Sequence, residues 1–166
     1  MKLLKKALLY DISNMAYMIA DTGYSSDHSL HKVRDVCEDG NIDRVARILG
    51  LAFADIVNIL HPLAISPEWR EDKDFSAKPG NYEIIFRSGS RGACHVTVEQ
   101  KMKIKETSHE YMVAMVLADW LEMTLPEAAD VWKDRALEAK SNLEEIVSSV
   151  AVTSFGAVFS RRLSPF

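Results

Sequence analysis

The chain has 166 residues, 48% of them apolar and 27% charged, and a formal net charge of −4. That length matches about one domain; the composition excludes a disordered chain, and the charge excludes wholesale coating of nucleic acid while leaving room for a local basic patch. No run of about 18 apolar residues occurs, so no membrane span is expected, and two cysteines, Cys37 and Cys94, are too few for a disulfide framework.

The first residues, Met1-Lys2-Leu3-Leu4-Lys5-Lys6 followed by Ala7-Leu8-Leu9, briefly imitate a signal peptide. The apolar run ends at Tyr10-Asp11, too short for a leader. Leu4, Leu8, Ile12, Met15 and Ile19 recur at helical spacing and predict an amphipathic helix over 3–20. Ser26 or Asp27 can cap a short second helix carrying Leu30, Val33, Val36 and Cys37. Asn41 can cap a third, over 42–61, in which Ile42, Val45, Leu49, Phe53, Ile56 and Leu60 repeat every three or four residues before Pro62 stops it. Gly50 inside that helix costs about 1 kcal/mol relative to Ala, and a close helix crossing would be one reason to keep it.

Residues 61–81 lose all periodicity, with Pro62, Pro67, Pro79 and Gly80 among charges, and read as a long loop. The period then switches to two. Tyr82, Ile84 and Phe86 share one strand face; beyond Ser88-Gly89-Ser90-Arg91-Gly92, Cys94, Val96, Val98, Met102 and Ile104 share one face, with His95, Thr97, Glu99, Lys101, Lys103 and Lys105 on the other. That pattern predicts a β-hairpin over 82–105 with a wet, basic side. A lone hairpin is marginal in water, so its apolar side is expected to pack on helices or on another chain.

Thr107-Ser108-His109-Glu110 carries a capping pattern that opens a helix apolar nearly all round, from Tyr111 to Leu121. Thr124-Leu125-Pro126-Glu127 repeats the pattern with Pro in a first turn that needs no donor. The next helix has one stripe, Ala128, Trp132, Ala136, Ala139, Leu143, Ile146 and Val150, and should fold back along its predecessor as a helical hairpin. The stripe's near-heptad spacing would equally allow a subunit contact. The fold class expected is therefore α+β, mainly helical: one domain over 1–151, a bundle with an inserted hairpin. Residues 152–166 follow as an extended C-terminal arm, ordered by docking, with Phe155, Phe159, Leu163 and Phe166 as apolar anchors beside Arg161 and Arg162.

Chemistry-bearing patterns are sparse. Asp21-Thr22-Gly23 after Met18-Ile19-Ala20 resembles the aspartic-protease signature, but that chemistry needs two such aspartates on strand-loops, and here the preceding residues have helical period and Tyr24 follows the Gly. A helix end with a Gly stop explains the residues as well. His28 and His31 beside Asp27 have a spacing that can hold a metal, yet two ligands make no site. Cys37 and Cys94 lack metal partners nearby and read as reduced core thiols, one bridge between them being the alternative. The Ser88–Gly92 run with Arg91 can cradle an anion or serve as a hairpin tip touching a partner. Lys101, Lys103 and Lys105 offer backbone contact to nucleic acid, or protect an edge strand. No catalytic, cofactor-binding, metal or small-molecule site is expected.

The buried helix Tyr111-Met112-Val113-Ala114 through Trp120-Leu121, the Pro126-Glu127-Ala128-Ala129 helix and the tail Arg161-Arg162-Leu163-Ser164-Pro165-Phe166 together resemble head-to-tail connector (adaptor or neck) proteins of tailed bacteriophages. The resemblance covers about the last third of the chain; the hairpin and the earlier helices lie outside it. It implies a non-enzymatic virion protein, assembled in the bacterial host cytoplasm as a ring of identical subunits between portal and tail components. Its partner-binding residues would be Arg91, Lys101, Lys103, Phe155, Phe159, Arg161, Arg162, Leu163 and Phe166. The other reading is a small cytoplasmic binding or regulatory module, with nucleic acid as one conceivable partner.

Overall fold

The computed structural model describes residues 1–21, 30–65, 80–86 and 96–162, with only the backbone for Leu30, Ala64, Ile65 and 151–162. The chain is mainly helical, with small antiparallel strand pairs, as the composition and periodicity lead one to expect. In order it forms β1 (Lys2–Leu4), α1 (Lys5–Asp21), α2 (Leu30–Arg34) with a 3-10 turn (Asp35–Cys37), α3 (Ile42–Leu60), β2 (Ala64–Ile65), β3 (Asn81–Glu83), β4 (Ile85–Phe86), α4 (Val98–Thr124) and α5 (Pro126–Arg162).

The centre is α4. Its middle turns bury Tyr111, Met112, Val113, Ala114, Val116, Leu117, Ala118, Trp120 and Leu121, the all-round cover that an all-round apolar helix requires. α5 packs along it with the most extensive interface in the molecule, across a one-residue joint at Leu125. The stripe of Ala128, Trp132, Ala136, Ala139, Leu143 and Val150 is buried, with Ile146 partly so, and it faces inward rather than toward a subunit. α3 closes another side of α4, burying Val45, Ile48, Leu49, Ala52, Phe53, Ile56 and Leu60. Two polar links fasten α3 to α4: Arg44 Nε donates to Asp119 Oδ2 at 2.7 Å, and the Tyr111 hydroxyl donates to Asp55 Oδ2 at 3.0 Å. α1 and α2 cover a third side; the buried Trp120 indole N–H donates to the Val33 carbonyl at 3.1 Å.

Several local expectations need correction. The first strand takes Leu3, so α1 starts at Lys5; its buried face is Leu8, Ile12, Ala16 and Ala20, with Leu4 and Met15 exposed. Asn41 makes no side-chain cap on α3 and instead donates from Nδ2 to the Asp35 carbonyl at 2.8 Å. Among the described residues no close crossing explains Gly50, because a Cβ there would meet none of them within 4 Å.

The expected hairpin is absent in that form. β3 pairs with β1 in antiparallel register, Leu3 opposite Tyr82 and Lys2 opposite Glu83, while β4 pairs with β2. Leu3 and Tyr82 point inward and the oppositely charged Lys2 and Glu83 outward, which satisfies both faces of so short a ladder. The Tyr82 ring rests on Phe53, 4.9 Å between centroids, so α3 supplies the cover a lone strand pair lacks. Residues from Val98 onward are helical, not extended. The reason is local: the Thr97 hydroxyl accepts from Gln100 N–H at 3.2 Å, and Gln100 Oε1 accepts from Thr97 N–H at 2.9 Å, a complete capping box that starts the helix there. α5 runs as helical backbone through Arg162, across the boundary expected at 151, and 163–166 lie outside the described residues.

Candidate functional site

α1, α4 and α5 leave a cleft of about 550 Å³ between them, within the usual range for ligand sites. Each helix supplies residues at three- and four-residue spacing, the spacing that places side chains on one face. α1 gives Asp11 and Met15; α4 gives His109, Glu110, Val113 and Ala114; α5 gives Trp132, Arg135, Glu138, Ala139 and Asn142. Small side chains at Ala114 and Ala139 keep the cleft open, and Val113 and Trp132 make apolar wall.

At its mouth His109 Nε2 lies 2.7 Å from Asp11 Oδ2. On α5 the exposed Arg135 guanidinium stacks on the Trp132 indole, 4.6 Å from the ring centroid, a cation–π contact that keeps the charge in water while covering the ring. Asp11, Glu110 and Glu138 put three carboxylates on the lining against one guanidinium. The lining thus combines charge with apolar surface, and the Met15 thioether is an adaptable part of it.

The residues singled out from sequence lie elsewhere. Lys101 sits at the end of the first turn of α4 with Nζ 5.9 Å from the Phe86 ring centroid. Lys101 and Lys105 share one side of that helix, since four residues advance it by little more than a turn, whereas Lys103 lies across it. The single basic face expected of a strand is thereby split. Asp21 is the last residue of α1, its Oδ1 3.7 Å from Arg34 Nη2, and so occupies a helix end and not a strand-loop. His31 is exposed on α2, and among the described residues no group of three His, Cys, Asp or Glu is placed to hold a metal ion. Cys37 is a half-buried free thiol donating to the Leu9 carbonyl at 3.6 Å; burial pushes its pKa up against the opposing hydrogen bond from Ser13, a shift that disfavours the nucleophilic thiolate. Arg91, His28, Cys94, Leu163 and Phe166 lie outside the described residues, and of Phe155, Phe159, Arg161 and Arg162 only the helical backbone is described. No helix among the described residues is long and apolar enough to cross a membrane.

The sequence alone does not show the cleft, because His109 sits within an apparent helix cap and Asp11 only marks the end of an apolar run. One signal was present: Trp132, Arg135, Glu138 and Asn142 run at three- and four-residue spacing beside the apolar stripe, an edge mixing aromatic, cation, anion and amide. No family model matches the chain, and neither a curated protein nor a solved structure matches it.

Proposed function

We propose that the chain is a non-enzymatic assembly subunit, best read as a head-to-tail connector protein of a tailed bacteriophage, resident in the virion between portal and tail components. One observation carries this reading. α5 has 37 residues and α4 has 27. Packed antiparallel across a one-residue joint, α5 outruns its partner by about 15 Å at 1.5 Å per residue. A helix that outruns its own hairpin can bring the residues after it to a neighbour at small cost in ordering entropy. The residues that carry the connector resemblance, Tyr111 to Leu121 and Pro126 to Ala129, build the hairpin from which that helix projects.

Repetition of such a contact around a closed ring multiplies weak interfaces. Light scattering of the full chain over a wide concentration range tests the reading. The expected result is a discrete mass well above the 18.7 kDa of one chain. A mass that stays at one chain, alone and with portal or tail proteins added, counts against it.

A further inference from the structure

We propose that the cleft between α1, α4 and α5 receives residues 161–166 of a second copy of this chain. The inference rests on the assembly reading and names the surface it would use. Two properties of the cleft select the guest. Its lining carries Asp11, Glu110 and Glu138 against Arg135 alone among permanent charges, and its walls are Met15, Val113 and Trp132. The matching segment within the chain is Arg161-Arg162-Leu163-Ser164-Pro165-Phe166, two cations followed by two large apolar side chains. Guanidinium groups pair with carboxylates in a fixed fork, so the two arginines of the segment match the three carboxylates of the lining, and its two large apolar residues match the apolar walls.

Reach decides between the chain's own cleft and a neighbour's. α5 is helical from Pro126 to Arg162, which sets Arg162 about 30 Å along the axis from Asn142, the last cleft residue on that helix. Four residues, 163–166, span at most about 14 Å when fully extended. Arg161 and Arg162 are themselves in the helix and cannot turn back. The contact is therefore made in trans. It joins residues 161–166 of one copy to the side of the next, a heterologous arrangement that closes into a ring when the rotation per subunit allows.

The test exchanges charge across the contact in the full chain. Glu110 and Glu138 are exposed, so Glu110→Lys with Glu138→Lys should leave the fold intact, with circular dichroism as the check. Light scattering should show self-association weakened at least tenfold in that variant and in Arg161→Glu with Arg162→Glu. Mixing the two variants should restore association, because each then offers the other a complementary surface. A fluorescent peptide of residues 157–166 should bind the wild-type chain saturably and the Glu110→Lys, Glu138→Lys chain at least tenfold more weakly. Association of the wild type that survives both reversals, or a mixture that regains nothing, overturns the cleft assignment and leaves the assembly reading standing. A wild-type chain that is monomeric at every concentration, alone and with portal or tail proteins added, overturns both.

Discussion

His109 and Asp11, 98 residues apart in sequence, meet with 2.7 Å between Nε2 and Oδ2 and pin α1 to α4 at the mouth of the cleft. Both side chains keep partial contact with water, 25% and 43% exposed, so the bond is screened and its worth modest. His109→Ala and Asp11→Ala in a double-mutant cycle should give a coupling of about 0.2–1 kcal/mol by urea denaturation. A coupling of zero would mean the two groups touch without holding α1 in place.

Thr97 should matter more than an exposed threonine usually does. Its side chain and that of Gln100 satisfy two first-turn N–H groups of α4. Thr97→Ala is expected to cost about 1 kcal/mol of stability and to raise amide exchange in the first turn. Wild-type protection at Gln100 in the variant would show that the helix start is held by something else.

Gly50→Ala should stabilise the protein. The position is interior to α3, and the space a methyl group needs is free. Alanine removes backbone freedom from the unfolded chain and favours the helix, together about 0.5–1 kcal/mol. A lower denaturation midpoint would reveal a backbone approach at Gly50 that the open space does not suggest.

Alkaline pH should destabilise the fold through its buried phenols. Burial pushes the Tyr82 pKa up from 10 to about 12, and burial followed by the hydrogen bond and charge of Asp55 pushes Tyr111 up as well. Between pH 10 and 12 the unfolded chain has lost protons that the folded chain retains. Stability from this source is complete below pH 10 and falls as pH rises through the folded-state value. Urea midpoints measured across that interval should decline, and the decline should be shallower in Tyr82→Phe. Equal slopes in the two proteins would assign the loss to other groups.

Where one residue spacing had one explanation, the fold was legible in the sequence. α3 and the stripe of α5 follow directly from three- and four-residue apolar repeats, and Pro126 marks the start of α5 where its missing donor is harmless. The ambiguity lay at 94–105. Val96, Val98, Met102 and Ile104 satisfy a strand's alternation, yet in the helix Val98 and Met102 are exposed at 74% and 57% while Ile104 is fully buried. Two capping patterns competed, Thr97 with Gln100 and Thr107 with Glu110, and the earlier one starts the helix. The strand partners are invisible in the sequence because β1 and β3 are far apart along the chain and are held by α1 and α4 against β1 and by Phe53 of α3 against Tyr82, not by a turn. The cleft escaped for the same reason: its three sides come from helices whose sequence says nothing about which neighbour each will meet.

The one-residue joint at Leu125 has a bearing on how the molecule comes into being. Partners adjacent in sequence find each other fast, whereas Leu3 must wait for Tyr82, far down the chain, and closing so long a loop is slow. During synthesis the N-terminal half leaves the ribosome before its cover, α4, exists. The α4–α5 pair would then act as the nucleus on which the earlier helices condense, so that changes at Leu125 slow refolding and changes in β1 mainly hasten unfolding. Stopped-flow refolding of Leu125→Ala and Leu3→Ala would reveal the opposite order if the N-terminal half leads.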